Sequence, residues 1–137
     1  MTGVQTCALP ISVADVRAIA ITGLEDTAYL DKVDGAQRKQ QGGAPIRLTG
    51  ETDRVYVNTR ATCVLDDPKL ARQITIEKSG SDTTVVWNPW IAKAKAMADF
   101  GDDEWPAMMC IESANTGESA ITLAPGAVHT MRAIVSA

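Results

Sequence analysis

The chain has 137 residues, of which 45% are hydrophobic, and its 13 Lys and Arg residues against 17 Asp and Glu residues give a formal net charge of -4 at pH 7. This length and composition are typical of one domain that can bury a core. No basic run could neutralise a row of phosphates, and no apolar stretch is long enough to cross a bilayer, so we expect neither nucleic acid nor a membrane as a partner.

The first segment, MTGVQTCALPIS, differs from the rest of the chain. Residues 3–11 resemble a peptide produced by translating a sequencing-adapter remnant at the edge of a gene fragment. Residues 1–11 are therefore interpreted as non-native, and residues 12–137 as part of one domain. The alternative is an ordinary first strand with a break at Pro10.

From residue 13 onward, short β-branched runs alternate with turn residues at a spacing typical of a sandwich or barrel. An Ala-rich segment after Asn88-Pro89 predicts one short helix. The fold class is therefore all-β, a sandwich or a barrel, with one short helix near 91–100. The predicted strands are VADVRAIAIT (13–22), TAYLDKV (27–33), APIRLT (44–49), RVYVNTRATCVL (54–65), RQITIEK (72–78), TTVVWN (83–88), MMCIES (108–113), AITLAPG (120–126) and VHTMRAIV (128–135).

Cysteine and histidine counts limit the chemistry of the chain. Cys7, Cys63 and Cys110 form no CxxC pair, and their odd number favours reduced thiols and a cytoplasmic location. His129 is the single histidine, which excludes a multi-histidine metal site. A lone histidine in a strand-like segment is more often packed or at the surface than catalytic.

Glu112 is a candidate site residue because it follows four apolar residues, MMCI. Strand alternation places Glu112 on the face of Met108 and Cys110, with Ile111 and Ser113 on the other face. A carboxylate in such surroundings needs a partner, access to water or a chemical role, and it suits proton transfer near neutral pH. The alternative is a structural carboxylate at a wet strand end.

Two further segments contain candidate ligands for a sugar. In GETDRVY (50–56), Asp53 could accept two hydroxyl hydrogen bonds, or pair with Arg54, or cap a turn. In VVWNPW (85–90), Trp87 beside Asn88 suits stacking on a sugar face, although large aromatic side chains are more often part of a core.

Six segments carry a resemblance to a known family: YLDKVDG (29–35), GETDRVY (50–56), VVWNPW (85–90), MADFGDDEW (97–105), MMCIESAN (108–115) and LAPGAVHTM (123–131). In this order they resemble the glucose-6-phosphate 1-epimerase family, the D-hexose-6-phosphate mutarotases of the aldose 1-epimerase superfamily. The resemblance covers residues 12–137. It implies a β-sandwich of the galactose-mutarotase type, of which this chain corresponds to roughly the C-terminal half.

The resemblance also implies an activity, the interconversion of the α and β anomers of hexose 6-phosphates by acid-base ring opening, which needs neither a metal nor an organic cofactor. Glu112 matches the general base in the family's C-E-x-x-N-like segment. Asp53 matches a ligand of sugar hydroxyls, and Arg54, Trp87 and Asn88 are assigned with it to substrate binding.

The family's catalytic acid is a histidine in an L-H-T-Y-F-like segment, which should lie just before Ser12, where this chain carries the adapter-like residues. His129 belongs to a different segment and does not match that position. The residues that hold the phosphate come mainly from the other half of the family's fold. We therefore expect the fragment to be inactive alone and the intact enzyme to be a monomer. The alternative is a non-catalytic carbohydrate-binding β-sandwich module.

Overall fold

The β-branched runs of the sequence pair into two antiparallel sheets in a computed structural model, which describes the backbone of residues 5–7 and all of residues 10–137. One sheet has seven strands in the order β1-β10-β9-β6-β4-β5, with β2 also paired to β10, and the other has four in the order β11-β8-β7-β3. The predicted all-β fold is confirmed. The strands are β1 (Gln5–Cys7), β2 (Ile11–Ser12), β3 (Ala20–Thr22), β4 (Ala28–Asp31), β5 (Gln37–Gln40), β6 (Thr52–Val57), β7 (Cys63–Asp67), β8 (Arg72–Ser79), β9 (Thr83–Asn88), β10 (Met108–Asn115) and β11 (Arg132–Ser136).

The core lies between the two sheets and follows from strand alternation. In β8, Ile74 and Ile76 are buried while Thr75 and Glu77 are not, as the alternating sequence predicts. The seven-stranded sheet contributes its own alternate residues to the same cluster. These include Tyr29, Tyr56, Val86, Met109 and Ile111.

An α-helix, α1 (Trp90–Ala96), occupies the predicted helical region but ends earlier than expected. Met97 is extended, with φ -89° and ψ 117°, and the backbone then turns at Phe100, whose N–H donates to the Met97 carbonyl. A short 3₁₀ turn (Trp105–Ala107) follows and leads directly into β10.

Several strand boundaries differ from the sequence prediction. The predicted strand over residues 13–22 forms only at Ala20–Thr22, because the N–H groups of Val13 and Val16 donate to carbonyls of the segment before β10 rather than to a sheet ladder. Residues 120–126 form no strand. The run over residues 54–65 divides into β6 and β7, which belong to different sheets.

Two glycines allow chain segments to approach each other closely. Gly23 has φ +98° and Gly80 has φ +68°. A Cβ atom at Gly23 would lie 2.1 Å from the Thr62 carbonyl oxygen, and one at Gly80 would lie 2.1 Å from the Thr130 carbonyl oxygen. Only glycine therefore fits at either position.

Residues 1–4, 8 and 9 lie outside the described residues, and with them much of the segment interpreted as non-native. In the part of the chain that is described, no helix has the length and apolar character required to cross a bilayer.

Candidate functional site

The face of the seven-stranded sheet that points away from the core carries Glu112, Trp87 and Asp53, and we call it the outer face. Trp87 in β9 lies opposite Cys110 in β10 on one side and opposite Asp53 in β6 on the other. Directly opposed residues of antiparallel strands project to the same face. Three neighbouring strands therefore bring these side chains together.

Glu112 lies within β10, which continues to Asn115, and its side chain is half-buried. Its cross-strand neighbour is Val85, and Val55 lies opposite Val85 on the next strand, so a row of valines adjoins the carboxylate. The alternative of a wet carboxylate at a strand end does not describe this position.

Cys110 lies two residues from Glu112 on the same face. Burial raises the pKa of the Cys110 thiol to about 12, with a further contribution from the negative charge of Glu112. The thiol hydrogen-bonds to the Met108 sulfur at 3.7 Å. Among the described residues, Val85, Cys110 and Met108 thus give the Glu112 carboxylate apolar neighbours on this part of the outer face.

Asp53 is half-buried beside Trp87 at the end of the outer face. Burial raises the pKa of its carboxyl group, and the nearby ammonium groups of Lys93 and Lys32 oppose that rise. Lys32 donates its backbone N–H to the Asp53 carbonyl at 2.8 Å, and the Lys93 ammonium is 3.5 Å from the Glu51 carboxylate. Charged groups thus lie near Asp53, whereas the described cross-strand neighbours of Glu112 are apolar.

The structure does not bring Arg54 to the outer face, because adjacent strand residues project to opposite faces. The Arg54 guanidinium lies 5.0 Å from the ring centroid of Tyr29. Its Nη1 atom is 3.5 Å from the Gln41 side-chain oxygen, which also accepts a 2.8 Å hydrogen bond from the Tyr56 hydroxyl. Its contacts therefore stabilise the inner side of the sheet.

Asn88 is likewise absent from the outer face, and its side chain is 0% exposed. Its amide nitrogen donates to the carbonyls of Trp105 at 2.8 Å and Met108 at 2.7 Å, while its oxygen accepts the Trp90 N–H at 2.9 Å. All three of these hydrogen bonds go to backbone groups, so this side chain is not directed toward the outer face.

His129 contacts the turn before β9 instead of the candidate site. Its Nε2 atom is 2.7 Å from the Gly80 carbonyl oxygen and 3.2 Å from the Asn115 side-chain nitrogen. This is the packed position that we expect for a lone histidine in such a segment.

An apolar cavity of about 220 Å³ lies between the sheets, and we do not assign it a catalytic role. Its lining combines isoleucines with Val135, Ala133, Pro10 and one hydroxyl group, from Ser113. None of the side chains that line it titrates near neutral pH. Among the described residues, no three His, Cys, Asp or Glu side chains cluster as metal ligands would.

Sequence comparison relates nearly the whole chain to a known family. The profile of the aldose 1-epimerase family matches residues 9–136. A protein of Cenchrus ciliaris named "Putative glucose-6-phosphate 1-epimerase" is 38% identical over 125 residues, which cover 91% of this chain and 38% of that relative. A protein of the same name from Escherichia coli strain K12 is 31% identical over 108 residues, which cover 79% of this chain and 36% of that relative. The chain therefore spans less than two fifths of the length of these relatives.

Solved structures share the fold. The crystal structure named "a putative mutarotase (YeaD)" from Salmonella typhimurium superposes with a TM-score of 0.74 at 30% identity, covering 82% of this chain and 39% of that chain. The structure of HI1317 superposes with a TM-score of 0.80, covering 98% of this chain and 46% of that chain. Its identity is 16%, so this second likeness concerns the fold alone.

Proposed function

Because this chain belongs to the aldose 1-epimerase family, we propose that it supplies the general base and part of the sugar-binding surface of a mutarotase acting on hexose 6-phosphates. The observation that carries the proposal is the position of Glu112. It is a half-buried carboxylate within a strand, on the same face as Trp87 and Asp53. The resemblance to the glucose-6-phosphate 1-epimerase family assigns a role to each of these three residues.

In the proposed reaction, the Glu112 carboxylate accepts the proton of the anomeric hydroxyl. The anomeric oxygen becomes a carbonyl oxygen as the bond between C1 and the ring oxygen breaks, and a general acid protonates the ring oxygen. Rotation about the C1–C2 bond and the reverse proton transfers then close the ring as the other anomer. Protons and electron pairs balance without a cofactor.

The spacing of the three side chains suits a sugar that lies along the outer face. Glu112 and Asp53 are two strands and two residues apart, which places their Cα atoms at a separation of roughly 12 Å. A pyranose ring with hydrogen bonds at both ends fits between the two carboxylates. Trp87 lies opposite Cys110 and Asp53. We propose that Trp87 stacks on the ring and that Asp53 accepts hydrogen bonds from its hydroxyls.

The resemblance gives the role of general acid to a histidine, and the His129 ring contacts the Gly80 carbonyl instead of the outer face. The proposal therefore assigns the acid, and most phosphate contacts, to the part of the longer relatives that this chain does not span. It follows that the chain alone is inactive. A cytoplasmic location and a monomeric intact enzyme are further parts of the proposal, and the buried free thiols of Cys63 and Cys110 fit that location.

Arg54 and Asn88 take different roles from those that their motifs imply. Their side chains make their hydrogen bonds away from the outer face, with Gln41 in one case and with backbone groups in the other. We therefore assign substrate binding in this chain to Asp53 and Trp87, and structural roles to Arg54 and Asn88.

A chimera tests the proposal. Residues 12–137 replace the matching segment of the Salmonella YeaD protein, and exchange NMR spectroscopy follows the anomers of glucose 6-phosphate and of glucose, with parental YeaD as the reference. We expect the chimera to accelerate exchange of glucose 6-phosphate and the isolated chain to have no effect. A chimera that binds the sugar phosphate without accelerating exchange, beside an active parent, would favour the carbohydrate-binding module instead.

A further inference from the structure

The strand that carries Glu112 is held at both ends by a buried asparagine. The ladder between β9 and β10 has five pairs, from Cys110↔Trp87 to Ala114↔Thr83, and the central pair is Glu112↔Val85. One asparagine lies just beyond each end of this ladder. Asn88 is the last residue of β9, and Asn115 is the last residue of β10.

Asn88 extends the ladder at its first end through its side chain. Beyond the pair Cys110↔Trp87, the amide group of Asn88 donates to the carbonyls of Met108 and Trp105. The start of β10 is thereby tied to the end of β9. The same side chain accepts the N–H of Trp90, a residue with φ 57°, so it also supports a backbone conformation that is costly for an aromatic residue.

Asn115 ties β10 to β9 at the opposite end of the ladder, also through its side chain. Its side-chain nitrogen donates to the Gly80 carbonyl at 2.8 Å, and its side-chain oxygen accepts the Asp82 N–H at 3.2 Å. These two backbone groups belong to the turn that precedes β9. Asn115 is 4% exposed, so water cannot readily replace these hydrogen bonds.

A carboxamide is required at both positions because each side chain both donates and accepts. Aspartate has no N–H to donate, and leucine has the size but no hydrogen-bonding group. The register that they hold matters for chemistry. A slip of one residue would turn Glu112 to the inner face, and a slip of two would move it about 7 Å along the sheet.

We propose that Asn88 and Asn115 are positioning residues that fix the register of β10 and so hold the Glu112 carboxylate over the outer face. The relevance of this position to catalysis rests on the proposed function. The register itself is a property of the chain and is measured without any assay of activity.

NMR spectroscopy of the 137-residue chain measures the register. Asn88→Leu and Asn115→Leu are compared with Leu65→Ala, a buried substitution in β7 of the other sheet that provides a control for a general loss of Tm. We expect both asparagine variants to lose the cross-strand NOE contacts between Glu112 and Val85. Amide exchange at Ile111 should accelerate by about tenfold or more, beyond any change in the control.

Three outcomes would overturn the proposal. The first is an unchanged set of Glu112 to Val85 contacts in both folded asparagine variants. The second is complete unfolding of both variants, and the third is the same loss of contacts in Leu65→Ala, since either result would assign the asparagines a general structural role. If Asn88→Leu unfolds, we still expect Asn115→Leu to remain folded, because the hydrogen-bond partners of Asn115 lie in a turn near the surface.

The YeaD chimera adds a kinetic readout. With Asn115→Leu, we expect kcat for glucose 6-phosphate to fall about tenfold or more while KM changes little, since Asp53 and Trp87 remain in place. A parallel loss of substrate affinity would contradict positioning. If the chimera is inactive from the start, the proposed function fails while the NMR comparison still decides the role of the asparagines.

Discussion

The two faces of the seven-stranded sheet are built from the same strands but differ in what they contribute. The inner face places Met109, Ile111 and Val86 in the hydrophobic core. The outer face carries Glu112 and Trp87, which are half-buried. Because a strand alternates with a period of two, one residue step separates a side chain that stabilises the fold from one that is available for chemistry.

Strand alternation divides a polar sequence motif between the two faces of the sheet. Asp53 and Arg54 are neighbours in sequence and look like one polar site, yet they project to opposite faces. Residues that do share the outer face, such as Asp53 and Trp87, are distant in sequence and are joined by strand pairing.

The largest expected effect is the loss of turnover when the proposed base on the outer face is removed. In the active chimera, Glu112→Gln keeps the shape of the side chain but removes the base, so kcat should fall by about 10²- to 10⁴-fold with little change in Tm. Exchange NMR spectroscopy and thermal unfolding provide the two measurements. Glu77→Gln, an exposed substitution in β8, is the matched control. Near-full turnover of Glu112→Gln would remove the assignment of the base.

The adjacent inner-face residue should show the reverse behaviour. Ile111→Ala empties part of the core, and we expect the free energy of unfolding to fall by about 2–5 kcal/mol. Urea denaturation of the chain measures this loss. A decrease below about 0.5 kcal/mol would show that the inner face does not carry the stability we assign to it.

Asp53→Asn probes binding on the outer face. The change weakens a hydrogen-bond acceptor without touching the transferred proton, so KM for glucose 6-phosphate should rise about tenfold while kcat stays within a factor of about three. Steady-state kinetics of the chimera measure both constants. A loss confined to kcat would instead place Asp53 in the proton-transfer step.

Arg54→Met sharpens the comparison, because it alters the residue next to Asp53 on the opposite face. We expect KM to be unchanged and the free energy of unfolding to fall by about 1 kcal/mol, through loss of the cation-π contact with Tyr29. Kinetics and urea denaturation test both expectations. A clear rise in KM would return Arg54 to the substrate site.

A pH effect is expected from Lys78, a half-buried lysine in β8. Burial lowers the pKa of Lys78 from 10.5 to about 8, so between these values the unfolded chain binds more protons than the folded chain. Stability conferred through this group therefore rises with pH from about 8 to 10.5. The raised pKa of the Cys63 thiol, about 11 against 9.0, acts in the opposite direction. The difference in unfolding free energy between wild type and Lys78→Met isolates the lysine, and a flat difference across this range would contradict the shift.

Sequence pattern is sufficient for the strand alternation and for the placement of Glu112, because both depend on a local period of two. It does not reveal β5 (Gln37–Gln40), a polar edge strand that is held by pairing with β4 and has no apolar alternation. The sequence pattern also does not predict the neighbours of Glu112, because the row of Val85 and Val55 depends on long-range strand order.

Motif resemblance has a different limit. It identifies segments that resemble those of a family, but it does not tell on which face of the sheet each residue lies. Asn88 is assigned to the substrate by its motif, whereas three backbone groups satisfy its side chain inside the protein. Register, which depends on partner strands, is the missing information.

The close contacts at Gly23 and Gly80 bear on how remote relatives of this chain could be found. A core isoleucine can exchange with leucine or valine at modest cost, so apolar strand positions are weak identifiers in a database search. At the two glycines, a threonine carbonyl oxygen occupies the place of any Cβ atom. A profile that weights these two positions heavily should therefore separate true relatives from other sandwiches better than one built on hydrophobicity.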